Sequence, residues 1–384
     1  MLSARRYTVK GFPSENLCVL CASAVKLLLY SSHVVIQENV PLAPLTTLKV
    51  GGPARYFARA TSEQDVTAAV STARERGWPL FILGGGSNVV IADAGWPGLV
   101  LHIAVTGLDH RRENGKVVFE AGAGEEWDTF VAYAVKHDCA GVECMSGIPG
   151  TVGGTPVQNV GAYGQEVSET ISEVRALDTE RGSVVDLCGE SCGFAYRTSI
   201  FNTVAKGRYI ITRVSYALVS GGAPKVEYAD LKNFFSGRGG TRTLQEVRDA
   251  VRQVRLRKAM LIVDGDEDSR SAGSFFKNPL ISQAEYEQLA ARAAARGLTP
   301  PARFPTPQGV KVPAGWLVEQ AGFAKGTARG RVGISRRHAL AIVNRGGATA
   351  AEVAALKDEI QRRVEDVFGV RLQPEPVFVG FGPA

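Results

Sequence analysis

The sequence predicts an α+β protein made of two glycine-rich α/β units followed by a more helical region. Three observations carry this. Up to about residue 220, short β-branched or aromatic runs alternate with segments of helical spacing. The 43 glycines gather in runs between those segments, as in Gly84-Gly85-Gly86 and Gly153-Gly154. At "SGGAPK" (220–225) the composition shifts, and two helix-capping boxes follow. With 384 residues, 45% hydrophobic and 21% charged, the chain can bury a substantial core over two or three domains, which excludes a disordered protein.

Taken in order, "RYFARA" (55–60) reads as a strand, and Ser62 with Asp65 opens a helix over roughly 63–76. "PLFIL" (79–83) is a short apolar run that ends in "GGGSN", and "LVLHI" (99–103) is another strand. The second unit has a strand at "VVFEAGAG" (117–124) and helical spacing at "EWDTFVAYAVKHD" (126–138). A long glycine-rich loop then covers 141–164, and "RYIITRVSYALV" (208–219) is strand-like. Beyond 220, Thr243 with Glu246 and Thr349 with Glu352 start helices. Val353, Leu356, Ile360, Val364 and Val367 form the apolar stripe of the last one, and Gly369 stops it. "LAARAAARG" (289–297) is an alanine-rich helix.

The first 38 residues stand apart. "LCVLCASAVKLLLY" (17–30) resembles a signal core, but Lys26 interrupts it, no small-residue cleavage site follows and it is too short to span a bilayer. It reads as an extension outside the functional fold. Cys18 and Cys21 have CxxC spacing without neighbouring histidines, and Cys139, Cys144, Cys188 and Cys192 add no metal pattern, so a reduced, metal-free, cytoplasmic protein is expected. The net charge of +6 suits anionic small molecules. Its basic residues are scattered, which argues against a nucleic-acid partner, and no membrane partner is expected.

Two loops could bind a ligand. "LGGGSNVV" (83–90) follows a strand, so its N–H groups could form an anion nest or simply a tight turn; it is neither G-x-G-x-x-G nor a Walker loop. "GIPGTVGGTPVQNVGAYG" (147–164) is long enough to be functional or to be a structural Ω-loop. Two such loops on successive units would suit a large diphosphate cofactor. Ser274 in "SAGSFFKNP" (271–279) could be a nucleophile, a cap or a turn residue; no G-x-S-x-G elbow supports the first.

At these residues the chain resembles the UDP-N-acetylenolpyruvoylglucosamine reductases. "LTTLKVGGPARYF" (45–57), "ILGGGSNVV" (82–90), the 147–164 loop, "YRTSIF" (196–201), "SAGSFFKNP", "PAGWLVEQAGF" (313–323), "HALAIVN" (338–344) and "QPEPVFVG" (373–380) occur in family order, covering about 40–380. The resemblance implies a two-subdomain FAD-binding part of the vanillyl-alcohol oxidase (PCMH) type over 39–220. It implies a C-terminal α/β substrate-binding domain over 221–384, whose last strand returns Glu375 to the active site. It further implies reduction of an enolpyruvyl UDP-sugar by NADPH through bound FAD, in peptidoglycan precursor synthesis; a monomer is the default expectation. FAD contacts are then expected at Arg55, Gly84, Gly85, Gly86, Ser87, Asn88, Ile148, Gly154, Val157, Gly161 and Ile211, although Arg55 reads equally well as a surface arginine.

The same resemblance makes Ser274 the proton donor and places Arg197 and Glu375 at the substrate carboxylate. Arginine offers a permanent charge and a planar fork there, whereas Glu375 helps only if its pKa is raised or it polarises a donor. Tyr196, Tyr228, Lys258 and Asn278 are the implied substrate contacts, with Tyr228 marking the branch that has a tyrosine-bearing loop. "KAMLIVDGD" (258–266) departs from the K-L-P-D-P pattern, which puts the geometry after Lys258 in question. Two rivals remain: a flavin oxidase of the same fold, and a non-redox nucleotide-sugar-binding module.

Overall fold

The computed structural model describes residues 34–113 and 115–382. The first unit runs through β1 (Ile36–Pro41), β2 (Pro53–Ala60), α1 (Glu63–Glu75), β3 (Leu80–Leu83), β4 (Val89–Ile91) and β5 (Trp96–Ile103). Four strands form a sheet in the order β1-β2-β5-β3, antiparallel between β1 and β2 and parallel elsewhere. The capping box opens α1 as the sequence predicts: the Asp65 N–H donates to Ser62 Oγ at 3.1 Å, and the Ser62 N–H donates to the Asp65 carboxylate at 3.1 Å. Val66, Ala69, Val70 and Ala73 then face the sheet at helical spacing and are buried.

Most of the expected 1–38 extension lies outside the described residues, as do Cys18 and Cys21. Its last residues do not stand apart from the fold, because Ile36, Gln37 and Glu38 pair with Ala58, Phe57 and Tyr56. Most of β1 is exposed, so it lacks the apolar alternation that would mark it as a strand.

The second unit comprises β6 (Leu108–Glu113), β7 (Lys116–Gly122), α2 (Trp127–Lys136), β8 (Ile171–Asp178), β9 (Ser183–Cys188) and β10 (Tyr209–Ser220). These strands pair antiparallel in the order β9-β8-β10-β7-β6. The edge strand β6, "LDHRRE", is almost wholly exposed and charged, which blunts the sheet edge and hides the strand from a hydrophobicity pattern. On α2, Trp127, Phe130, Val131 and Ala134 bury one face in the core shared with this sheet.

The third region contains α3 (Ala229–Phe234), α4 (Leu244–Arg257), β11 (Leu280–Ile281), α5 (Gln283–Ala294), β12 (Phe304–Thr306) and β13 (Gly309–Lys311). It continues with α6 (Ala314–Gln320), β14 (Ala328–Arg329), β15 (Val332–Ile334), β16 (Ile342–Asn344), α7 (Ala350–Phe368) and β17 (Val377–Val379). Two small antiparallel sheets, β11-β13-β12 and β14-β15-β16, make it a mixed region rather than a mainly helical one. The stripe Val353, Leu356, Ile360, Val364 and Val367 on α7 is buried, and Gly369 ends the helix at φ 74°.

Several contacts fasten the third region to the first unit. Leu48, Val50 and Val90 pack into the same core as α5, α6 and α7. The Asp93 carboxylate accepts the N–H groups of Ala350 at 2.8 Å and Ala351 at 2.9 Å, capping the positive end of α7. Finally β17 returns to pair in parallel with β4, Val377 level with Val89. Among the described residues no helix is long and apolar enough to cross a membrane, and Cys139, Cys144, Cys188 and Cys192 are free thiols.

Candidate active site

The two glycine loops meet backbone to backbone. A Cβ on Gly85 would lie 2.6 Å from Gly150 Cα and 3.0 Å from Thr151 N, so no side chain fits between them. Beside this contact, Thr151 Oγ1 is buried without a hydrogen-bond partner among the described residues, and a Cβ on Gly84 would come within 3.0 Å of it. A cradle of bare backbone with a buried, unspent hydroxyl fits a large polar ligand such as a dinucleotide. Gly154 fronts open space, whereas Ile148 and Val157 are partly buried against the neighbouring core. Gly161 turns tightly, with Gln165 O only 2.7 Å from where its Cβ would be. Ile211 is buried on β10, paired with Ala176.

Arg55 lies along β2, away from the start of the GGGSN loop. Leu83, which precedes the GGGSN loop, is level with His102 and thus with Arg59 on β2. Arg55 lies four residues earlier, roughly 13 Å along the strand. It is exposed, its guanidinium 5.3 Å from the Tyr56 ring, because strand alternation turns it to solvent.

A second group of residues gathers where β17 returns. Glu375 N–H donates to Phe275 O at 2.9 Å, and Lys277 N–H donates to Gln373 O at 3.0 Å, so the segment after Ser274 pairs with the segment that carries Glu375. Val377 N–H donates to Asn88 O at 2.9 Å. The Asn88 side-chain amide donates to Gln158 Oε1 at 2.8 Å and lies 3.4 Å from Glu375 O. Ser274, Glu375 and both glycine loops are therefore joined through a few hydrogen bonds, with Ser274 half-buried in a bend.

Arg197 completes the group. Its backbone is left-handed at φ 54°, an unfavourable conformation for a side-chain-bearing residue that is typical of functional positions. The guanidinium is anchored by donation to Asn159 O at 3.3 Å and Gly161 O at 2.9 Å. Its Nε lies 3.3 Å from Glu375 Oε1 but is not aligned to hydrogen-bond, leaving it buried and unspent. Burial raises the Glu375 pKa, while Arg197 and then Lys277 pull it down; the net direction is up. That is the condition the sequence set for a glutamate beside a carboxylate.

The remaining predicted residues have partners of their own. Tyr196 is half-exposed, with the Lys311 ammonium 4.9 Å from its ring. Tyr228 packs edge-on against Tyr163, ring centroids 5.5 Å apart. Lys258 pairs with Asp230 at 2.7 Å, and the chain turns directly after it at Ala259 (φ 54°). Asn278 Oδ1 accepts Ala314 N–H at 2.9 Å and so supports the start of α6. His338 is no base for Ser274: its Nδ1 accepts Leu340 N–H at 3.1 Å. Burial, then Lys258, Lys325 and Arg255, take its pKa down to about 4. Thr151, Gln158, Tyr163 and Asp230 escape the sequence reading. The first three belong to the glycine loop, whose length was the signal available.

Residues 54–187 match the model of an FAD binding domain, and residues 266–379 match the C-terminal domain of UDP-N-acetylenolpyruvoylglucosamine reductase. A protein of that name from Thermobifida fusca is 44% identical over 350 residues, covering 89% of this chain and 98% of its own. This chain belongs to the UDP-N-acetylenolpyruvoylglucosamine reductase family. The relative from Streptomyces coelicolor is likewise 44% identical, over 90% of this chain and 91% of its own. The crystal structure of the Thermus caldophilus reductase superposes with a TM-score of 0.59 at 25% identity, covering 90% of this chain and 99% of that one. The chain is thus an oxidoreductase of this reductase family with an FAD-binding part.

Gly85→Ala is expected to separate the two loops, because its Cβ would collide with backbone that cannot rotate away. The overpacking should cost about 1–3 kcal/mol. Flavin absorbance per protein in the purified variant should fall well below wild type, and a full complement of flavin would contradict the cradle.

Proposed function

We propose that the chain reduces UDP-N-acetyl-3-O-(1-carboxyvinyl)-glucosamine to UDP-N-acetylmuramate with NADPH, in peptidoglycan precursor synthesis. The observation that carries this reading is the return of β17, which joins Glu375 and the Ser274 turn to the point where the glycine loops meet. Residues 39–220 would hold the cofactor and 221–384 most of the substrate. Gly84, Gly85, Gly86, Ser87, Asn88, Thr151 and Gly154 would cradle FAD, which when bound passes a hydride from NADPH to the enol ether.

The chain's own residues handle charge and the proton. Arg197, fixed by two carbonyl oxygens and with Nε unspent, faces the substrate carboxylate, where negative charge grows as the double bond is reduced. Glu375, its pKa raised, can share a proton there instead of repelling the substrate. Ser274 delivers the proton to the carbon next to the one that receives the hydride. Tyr196 and Asn278 border the nucleotide-sugar path. Lys258 supplies positive charge for the diphosphate, and Tyr228 closes over it from the loop before α3.

The test is NADPH oxidation by the purified, yellow protein. Oxidation should require the enolpyruvyl UDP-sugar and follow parallel initial-rate lines, since both substrates must reach one flavin in turn. Oxidation that depends on oxygen alone would favour a flavin oxidase, and a colourless protein a binding module.

A further inference from the structure

Arg255, near the C-terminal end of α4, is 7% exposed and forms no ion pair with any carboxylate among the described residues. Its Nε–H donates to Gly147 O at 3.1 Å and an Nη–H donates to Met260 O at 2.6 Å. Gly147 belongs to the long glycine loop. Met260 reaches the other way, its methyl 3.9 Å from where a Cβ on Gly273 would sit, beside Ser274. One guanidinium therefore braces the cofactor loop and the segment beneath the proposed proton donor.

The charge around it is unbalanced. Arg248, Arg252 and Arg255 recur along α4, and Asp128 is the acid they face. That carboxylate is engaged by Arg248 at 2.6 Å and by Arg252, and it also accepts Gly147 N–H at 2.6 Å. Carbonyl oxygens and the helix end solvate Arg255 but do not cancel a unit charge. A buried cation without a counter-ion is strongly unfavourable unless a ligand supplies the negative charge.

We propose that Arg255 is a positioning residue that, acting from beneath the Gly147 loop, favours the electron-rich reduced state of the flavin bound on that loop. The inference rests on the flavin reading above. A preorganised cation held by two carbonyls requires no reorganisation when electrons arrive. Arginine also keeps its charge under burial, which a lysine would lose more readily.

The flavin midpoint potential of the holoenzyme, measured by dye equilibration, tests this. Arg255→Gln should shift it negative by at least tenfold in the two-electron equilibrium, about 30 mV. Asp128→Asn, which removes the cluster's carboxylate yet can still accept Gly147 N–H, should shift it positive. An unmoved potential in Arg255→Gln overturns the proposal. Should that variant fail to retain flavin, Asp128→Asn decides: a positive shift supports the proposal and no shift overturns it. Wild type that retains flavin but shows no substrate-dependent NADPH oxidation would defeat the functional reading instead.

Discussion

Ser274→Ala should leave the flavin reducible by NADPH at nearly the wild-type rate while turnover falls by roughly 10²–10⁴-fold, the range a positioned general acid contributes. The serine lies in a bend whose next residues, Phe275 and Phe276, are buried and paired by backbone to the Glu375 segment. Removing one hydroxyl should not disturb that frame, so the cofactor half-reaction is preserved. Rapid mixing separates the two steps: bleaching of the flavin by NADPH reports the first, and recovery of colour on adding the enolpyruvyl substrate reports the second. Equal loss of both would mean that Ser274 shapes the cradle and is not the proton donor.

Arg197→Met should lower turnover by roughly 10²–10³-fold, as loss of a preorganised charge at a developing anion does, and Arg197→Lys should recover only part of it. A lysine cannot donate to both Asn159 O and Gly161 O and still present a planar edge. The same change has a pH signature through Glu375. Its pKa is already above the ordinary 4.5 because burial outweighs Arg197 and Lys277. An acid with a raised folded pKa contributes stability below its unfolded pKa and loses it as pH rises through the folded value. Without Arg197 the folded value climbs further. The melting temperature of Arg197→Met should therefore fall further behind wild type at pH 8 than at pH 5, and a gap independent of pH would contradict the coupling.

Much of the scaffold could be read in the sequence because its signals are local. The capping boxes at Ser62, Thr243 and Thr349 each open a helix, since serine or threonine and the acid three residues on satisfy each other's N–H groups. Exposed strands escaped: β1 and β6 carry no alternation, because one face of each meets water and the other little core. The small sheets of the third region are two or three residues per strand, too short to show a period. At the site, the glycine loops could be read from the residues themselves, whereas the roles of Ser274, Arg197 and Glu375 came from motif resemblance. Arg55 came with its motif and lies exposed on β2. Gln158, Tyr163 and Arg255 stayed hidden because their partners come from distant segments, and only folding makes them neighbours.

Asn88 and Glu375 are 287 residues apart in sequence, yet their alignment survives or fails on a single residue. Entropy does not guard it, since doubling the intervening chain would add only about 0.6 kcal/mol to loop closure. Parity does. A slip of one residue would turn the glutamate to the opposite face. Glu375 stands between Pro374 and Pro376, neither of which has an N–H. Of the three, only the glutamate can donate to Phe275 O. The prolines act as a two-sided key: any neighbouring register presents a residue with nothing to give, and the carboxyl is locked beside Arg197.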